Sequence, residues 1–358
     1  MNSEFFNRQY RSSLIKLYCK LLILAVPFLP LIAIYFVCDP DMVLRKYKRF
    51  DQSDMVLNEG YIGWQNYLNN RDSIPFNSFI MGNSCTMAFR TDEWEKYLSD
   101  NSRAVRFFEN AESMAGVCQK VQALEEENAQ LDNLLIVLDA YSFAATRPSQ
   151  DTRRIFSWKA AGISHTQFLF RNLQSFLIPS KCLSYLRYRI TGKYTADMKS
   201  VIIPDGPIRE PFTNNFLNPR EREIAEDGEI YWNNHYEEFH KQPRTPGETA
   251  RQTIFNSQTT MLEGLKAICS RHSTHVTLII SPEYFQKKIH PDDLQKLQDI
   301  FGKESVFDFS GVNSYTEDYH NYYEPGHYRP YLGAKLLNDV YSKVVQQKTE
   351  RPEMYKKS

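Results

Sequence analysis

The chain is organised around residues 77–90, which read Asn-Ser-Phe-Ile-Met-Gly-Asn-Ser-Cys-Thr-Met-Ala-Phe-Arg. The apolar residues 79–81 end at Gly82, and small polar residues separate them from the charged, helix-like segment 91–98. This pattern predicts a buried strand, a tight turn and a helix, with Ser84 in the turn at the carboxyl edge of a parallel sheet. A hydroxyl there lies beside unpaired helix N–H groups, and nucleophilic serines are often held in such turns.

Length and composition exclude several classes of protein. With 358 residues, 42% of them hydrophobic, the chain can form one large α/β domain or two small ones. Its 43 basic residues balance 43 acidic residues, so no bulk field favours a polyanion and we predict no nucleic-acid partner. The six cysteines lack C-x-x-C or zinc-site spacing, so we predict no disulfide framework, no metal site and no cofactor.

An uncharged apolar run at residues 21–38 has about the minimum length for a membrane-spanning helix. We predict one uncleaved anchor, kinked at Pro27 and Pro30, because no small-residue cleavage site precedes Asp39. A buried helix is the weaker alternative, since lysines flank the run. Basic residues are equally numerous on both sides, so charge leaves the orientation open. Because short N-terminal tails are usually cytoplasmic, we predict a single-pass protein of the cell membrane with an extracytoplasmic globular part.

The remaining sequence indicates one α/β domain. The predicted regions are a tail and anchor at 1–40, a juxtamembrane lead-in at 41–76, the domain at 77–345 and a C-terminal tail at 346–358. Within the domain, strands predicted at 104–108, 134–138, 275–280 and 305–309 alternate with helical segments, which implies a parallel sheet. Regularity is lost at about 141–244, which we interpret as an insertion or lid, or as surface decoration.

Two further helices have boundaries that the sequence predicts. The sequence Thr245-Pro246-Gly247-Glu248 has the pattern of a capping box with proline in the first turn, so a long helix is predicted to follow it. A last helix is predicted at 332–344 from apolar residues at helical spacing.

The loop before the last helix places a carboxylate three residues ahead of a histidine, at Glu324 and His327. In a turn, Glu324 can accept the Nδ1–H of His327, which fixes the tautomer and leaves Nε2 to take a proton. These two residues are two thirds of a catalytic triad, and Ser84 is the candidate for the third.

Gly82-Asn83-Ser84 after a first strand, with Glu324-x-x-His327 before a last helix, resembles the SGNH/GDSL hydrolase superfamily. Its first sequence block is Gly-Asp-Ser and its last is Asp-x-x-His. The resemblance covers about residues 77–345 and implies a flavodoxin-like three-layer α/β/α fold. It also implies that Ser84 is the nucleophile, His327 the base and Glu324 the orienting acid. With the anchor and the His-Tyr-Arg-Pro-x-x-Gly sequence from His327, the chain is similar to envelope proteins of D-alanine transfer to teichoic acid and of alginate O-acetylation.

Three positions depart from the family pattern. Glu324 replaces the family's aspartate, and the strand ends that should supply an oxyanion-hole glycine and an asparagine offer Asn110-Ala111 and Asp139. An ionised Asp139 accepts hydrogen bonds and cannot stabilise an oxyanion. The oxyanion hole would therefore use the backbone N–H of Ser84 and Asn110 or a nearby amide.

Other residues could mimic these roles. Asp318 and His320 form a second acid–histidine pair, and Cys85 is a rival nucleophile whose neighbouring position favours a packing role. His327 could also be a structural histidine. His235 and His240 are interpreted as solvated side chains and not as metal ligands.

Two classes of function remain. The first is a membrane-anchored serine acyl-esterase or O-acyltransferase that acts on an acylated cell-envelope polysaccharide or glycan through an acyl-serine intermediate. The second is a catalytically weakened binding or assembly component that works beside a membrane-bound acyltransferase.

Overall fold

A five-stranded parallel sheet forms the centre of the computed structural model, which describes residues 13–20, 26–204 and 208–350. The strands are β1 Ser78–Gly82, β2 Ala104–Phe108, β3 Asn133–Leu138, β4 His275–Ile280 and β5 Val306–Asp308. They lie in the order β2-β1-β3-β4-β5, and each neighbouring pair is parallel. The predicted α/β class with a parallel sheet is therefore confirmed.

Helices cover both faces of this sheet. In chain order they are α1 Leu29–Cys38, α2 Glu59–Asn70, α3 Thr91–Glu95, α4 Met114–Glu126, α5 His165–Phe176, α6 Pro179–Thr191, α7 Pro219–Asp227, α8 Glu229–Asn234, α9 Tyr236–His240, α10 Asn256–Arg271, α11 Pro291–Phe301 and α12 Pro330–Glu350. Phe79 and Met81 of β1 share an apolar cluster with α2, α4, α10 and α11. Ile80 points to the other face and shares a cluster with α3, α8 and α12. Alternate residues of β1 thus enter two separate cores, as expected for a strand buried on both faces.

The turn after β1 requires glycine. Gly82 has φ +142°, and a Cβ atom there would lie 1.9 Å from the carbonyl oxygen of Val137 in β3. Only a residue without a side chain fits between the two strands while the backbone turns. The chain can then start a short 3₁₀ helix, Ser84–Ala88, directly at the carboxyl edge of the sheet.

The predicted transmembrane helix at 21–38 is not confirmed. Helix α1 covers ten residues and follows a 3₁₀ turn at Val26–Phe28, while residues 21–25 lie outside the described part of the chain. Across the described ranges, no helix combines the length and the apolar character needed to cross a bilayer. Proline explains the late start of α1, because Pro30 occupies its first turn, where a missing N–H is tolerated.

The segment 141–244 contains α5 to α9 and divides into two parts. Helices α5 and α6 share a third apolar cluster with Tyr35 of α1. Helices α7 and α8 lie against the chain that follows β5, and a buried ion pair between Arg209 and Glu59 (2.7 Å) joins the segment to α2. These buried contacts make the segment part of the packed structure.

The predicted start of the long helix is wrong. Residues 245–248 form a turn, and α10 begins only at Asn256. The backbone N–H of Thr245 donates to Phe285 (3.0 Å), and that of Ala250 donates to Lys288 (2.7 Å). These long-range hydrogen bonds hold the segment extended, so tertiary pairing overrides the local capping pattern.

Candidate active site

The nucleophile candidate Ser84 is the first residue of the 3₁₀ helix that follows β1. Asn83 caps this helix, since its side-chain oxygen accepts a hydrogen bond from the backbone N–H of Cys85 (2.9 Å). The hydroxyl of Thr86 donates to the carbonyl of Asn83 (2.7 Å), which closes the turn from the other side. Ser84 itself remains half-buried, with its N–H in a first helical position that has no helical acceptor.

A small antiparallel hairpin supplies the other two predicted residues. Its strands are β6 Tyr322–Glu324 and β7 His327–Tyr328, and the register places Glu324 opposite His327. The two side chains therefore project from facing positions of one tight turn. This local geometry explains the spacing of three residues between the acid and the histidine.

The structure brings Ser84, His327 and Glu324 together in one hydrogen-bonded chain. Nε2 of His327 lies 2.7 Å from Oγ of Ser84, although the two residues are 243 positions apart. Nδ1 of His327 contacts Oε1 of Glu324. With Nδ1 holding its proton for the carboxylate, Nε2 is the acceptor for the serine hydroxyl, which is the arrangement of a serine nucleophile with its general base.

The second oxygen of Glu324 is held by an arginine that the sequence did not suggest. Nη1 of Arg220, from the first turn of α7, contacts Oε2 of Glu324. Burial alone would raise the pKa of Glu324, but the hydrogen bond with His327 and the charges of His327 and Arg220 hold that pKa below its ordinary value. Glu324 is therefore an anion over the whole neutral range.

Helices α7 and α8 fix the backbone of the same hairpin. The hydroxyl of Tyr231 donates to the carbonyl of Tyr323 (2.8 Å), and Nε1 of Trp232 donates to the carbonyl of Tyr322 (3.2 Å). Glu221 pairs with Arg329, just beyond the hairpin, at 2.7 and 3.0 Å. This part of the segment predicted as an insertion or lid therefore supports the hairpin that carries Glu324 and His327.

The last helix approaches the nucleophile from the other side. A Cβ atom at Gly333 would lie 2.0 Å from the carbonyl oxygen of Ala88, the last residue of the 3₁₀ helix that starts at Ser84. Glycine therefore allows the first turn of α12 to rest directly on this short helix. The spacing between His327 and Ser84 depends on this close contact.

The tentative oxyanion residue Asn110 lies after β2 at the same edge of the sheet. Its backbone N–H already donates to Glu109 (2.9 Å), and its exposed side chain makes no hydrogen bond to Ser84 in the described structure. The next residue, Ala111, has φ +52°, a left-handed conformation that is unfavourable for alanine. Its N–H donates to no group among the described residues. The side-chain amide of Asn110 and the N–H of Ala111 are thus the two donors left at this strand end.

Asp139, at the end of β3, stabilises the nucleophile turn. Its Oδ2 accepts from Nδ2 of Asn83 (2.6 Å), and its Oδ1 accepts from the backbone N–H groups of Tyr141 (2.8 Å) and Ser142 (3.0 Å). All these groups are donors, as an ionised carboxylate requires. Nearby Glu283 has a pKa raised to about 8 by burial and then by the charge of Asp139. Asp139 is therefore a positioning group for Asn83, the residue that precedes Ser84.

The rival nucleophile Cys85 makes no hydrogen bond to His327 within the described structure. Its side chain is packed against the apolar cluster around α12, and burial raises the pKa of its thiol far above the ordinary range. A thiol without thiolate character is a poor nucleophile. Packing is the role that its surroundings support.

The remaining histidines lie elsewhere. His320 contacts Asp318 through Nδ1 (2.6 Å) and Glu229 through Nε2 (3.1 Å), so both its nitrogens are occupied by carboxylates. Nδ1 of His235 and of His240 each lie 2.8 Å from the carbonyl four residues earlier. Within the residues that the structure describes, no group of histidine, cysteine and acidic side chains has the arrangement of a metal site.

Comparison with known proteins adds no assignment: no family model matches the chain, and no curated protein is significantly similar to it. Its class is defined by the structure, as an α/β protein with a Ser-His-Glu arrangement at the carboxyl edge of a parallel sheet.

Proposed function

We propose that the chain is a membrane-associated serine acyl-esterase or O-acyltransferase of the SGNH type, acting on an acylated cell-envelope polysaccharide or glycan. The observation that carries this proposal is the 2.7 Å contact between Oγ of Ser84 and Nε2 of His327, backed by Glu324 on Nδ1. The strand order β2-β1-β3-β4-β5 supports it, because this order is that of flavodoxin-like folds. The apolar residues 21–38 support association with the cell membrane, and the short N-terminal tail before them supports an extracytoplasmic domain.

The proposed reaction has two halves. His327 takes the proton of Ser84 through Nε2 while Oγ attacks the acyl carbonyl, and Glu324 stabilises the imidazolium that forms. The tetrahedral intermediate collapses when His327 returns the proton to the leaving alcohol, which leaves an acyl group on Ser84. Water or a sugar hydroxyl then gives its proton to His327 and attacks the acyl-serine, and His327 returns a proton to Oγ of Ser84 as the bond to the acyl group breaks. Water produces a free acid, whereas a sugar hydroxyl produces a new ester.

The negative charge of the intermediate needs hydrogen-bond donors. The backbone N–H of Ser84 is one candidate, and the second donor comes from Ala111 or from the side chain of Asn110. Asp139 cannot take this role, because its carboxylate is an acceptor that is already occupied by Asn83.

The lack of a hydrogen-bond donor at Asp139 favours a second candidate function. A chain with one fewer oxyanion donor than its proposed family could serve as a tethered binding or assembly component beside a membrane-bound acyltransferase. In that case the Ser84–His327 contact would be retained without turnover.

Labelling with a fluorophosphonate distinguishes the two functions. In an active site, Ser84 attacks phosphorus, fluoride leaves and the serine proton passes to His327, so the purified full chain becomes covalently labelled. We expect Ser84→Ala to abolish labelling and Cys85→Ala to leave it intact. Folded wild-type chain that takes up no label would rule out the enzyme and leave the binding component.

A further inference from the structure

Exposed hydrophobic side chains are concentrated in two stretches of the chain. More than half of the large hydrophobic side chains that are exposed in the described chain belong to residues 13–37 and 170–190. On the hairpin of α5 and α6, Ile190 is 81% exposed and Leu183 is 62% exposed, and Phe170 and Ile178 are also more than half exposed. Isolated hydrophobic residues on a surface are ordinary, but a cluster of this kind marks an interaction site.

The exposed residues of α6 form a single stripe. Leu183, Arg187 and Ile190 follow one another at intervals of four and three residues, so they lie on one face of the helix. Cys182 and Tyr185 are buried on the opposite side, in the cluster that also contains α1. The helix therefore presents two aliphatic side chains and a guanidinium outward, which is an amphipathic pattern in addition to its packed face.

Helix α1 packs against the hairpin. Tyr35 of α1 packs against Phe176 of α5 with ring centroids 5.3 Å apart, and Asp41, just after α1, pairs with Lys181 of α6 at 2.5 Å. Phe36 and Val37 of α1 remain more than half exposed. The uncharged run 21–38 thus ends in a helix that packs against the hairpin and has exposed apolar side chains of its own.

Charge is distributed as unevenly as the hydrophobic residues. Residues 152–196 contain eight lysines and arginines and no acidic residue, in a chain whose formal net charge is zero. Five of the eight pair with carboxylates outside this range, among them Lys181 with Asp41 and Arg187 with Asp197. The other three, Arg154, Arg171 and Lys193, form no ion pair within the described residues. Exposed aliphatic side chains with nearby basic residues are the composition of helices that lie on anionic membranes. A protein partner would have to match both features, whereas a bilayer with anionic headgroups offers both along its whole surface.

We propose that the α5–α6 hairpin lies flat on an anionic lipid bilayer, as a second membrane contact beside the apolar N-terminal run. Leu183 and Ile190 enter the boundary between headgroups and acyl chains, and the basic side chains contact lipid phosphates. This inference rests on the membrane association in the proposed function and is independent of the chemistry at Ser84. The contact would hold the globular part in a fixed orientation above the membrane.

Fluorescence quenching tests the contact directly. The full chain, with a fluorescent amino acid placed at Leu183 or at Ile190, is reconstituted into phosphatidylcholine vesicles containing phosphatidylglycerol. Lipids that carry a nitroxide on the acyl chain quench only fluorophores at membrane depth. We expect quenching several-fold stronger at both positions than at Val312, a control position of similar exposure to solvent, at 51%.

A second variant tests the basic side chains. Arg171→Gln combined with Lys193→Gln removes two basic side chains that form no ion pair within the described residues, and it is expected to weaken quenching at Ile190 in these vesicles. The chain with its own charges is expected to show similarly weak quenching in vesicles of pure phosphatidylcholine. The apolar run keeps the chain on the vesicle in each case, so detachment does not explain a loss. Quenching no stronger than at Val312 overturns the proposal. A second outcome also overturns it: the fluorophore becomes shielded from solvent as the protein concentration rises, but the nitroxide lipids do not quench it. A second copy of the chain would then cover the hairpin. Fluorophosphonate labelling of Ser84 is measured on the same samples. It tests the proposed function, whereas the quenching tests only the membrane contact.

Discussion

Arg220 and Glu324 form an ion pair between α7 and the hairpin that carries His327, across 104 positions of the sequence. The pair occupies the carboxylate oxygen that His327 does not use. A glutamate has one more rotatable bond than an aspartate, so a second partner restricts the longer arm to one orientation. Arg220 is therefore a positioning residue for the acid of the site.

Replacing Arg220 changes how the site responds to acid. Because the pKa of Glu324 is held low, its ionised form persists until the pH falls through that lowered value. Arg220→Gln removes a positive charge, so the Glu324–His327 pair takes up protons at higher pH. We expect the acid limb of the fluorophosphonate labelling rate to move to higher pH in Arg220→Gln. Arg220→Lys, which keeps the charge, should move it less, and identical limbs for all three proteins would contradict this role.

The contact between α12 and the 3₁₀ helix Ser84–Ala88 predicts that one added methyl group strongly slows labelling of Ser84. In Gly333→Ala the new Cβ would lie 2.0 Å from the carbonyl oxygen of Ala88, so α12 must shift and separate His327 from Ser84. A displacement of about 1 Å can slow such a reaction on the order of 100-fold. The measurement is the labelling rate of the purified full chain. Gly264→Ala in α10 is the matched control, because nothing lies within 4 Å of that Cβ, and it should leave labelling unchanged and raise stability by about 1 kcal/mol.

The hydrogen bond between Asn83 and Asp139 predicts that exchanging the two residues restores the stability that a single substitution loses. Asn83→Asp places two carboxylates at hydrogen-bond distance in a buried turn, which should lower the free energy of unfolding by about 2 kcal/mol. Adding Asp139→Asn restores one donor and one acceptor with their positions exchanged. Urea unfolding of the two variants measures this coupling. If the double variant is no more stable than Asn83→Asp alone, groups other than Asn83 require a carboxylate at position 139.

The left-handed backbone of Ala111 predicts a stabilising glycine. Alanine in this conformation costs about 1–2 kcal/mol, of which the greater chain entropy of an unfolded glycine cancels part. Ala111→Gly should therefore raise the free energy of unfolding by roughly 0.5 kcal/mol. Ala267→Gly, at an exposed position in α10, should lower it by about 1 kcal/mol. If both changes destabilise equally, the conformation at Ala111 carries no strain.

The sequence was sufficient for the parts of the fold that local patterns determine. Continuous apolar runs predicted the strands because a parallel sheet covered on both faces buries every side chain, as in β3. The candidate site could also be predicted from the sequence, since Gly82 before Ser84 and the pairing of Glu324 with His327 are local features of two turns.

Features that depend on distant contacts were not predictable. Arg220, Tyr231 and Trp232 support the hairpin by reaching groups 90 or more positions away, and their own segment has no clear period. The predicted helix start at Thr245 failed for the same reason, because hydrogen bonds to Phe285 compete with a capping pattern. Residues 26–38 show a further limit, since hydropathy counts apolar length and does not register where a proline marks the first turn of a helix.

The separation of 243 residues between Ser84 and His327 has a consequence during synthesis. A ribosome releases β1 and its serine long before it reaches the histidine, and chain segments begin to fold in the order in which they emerge. A nascent or prematurely terminated chain therefore carries a serine without its base. The contact between Ser84 and His327, on which the proposed function rests, forms only once translation has passed Gly333, after the rest of the sheet has been made.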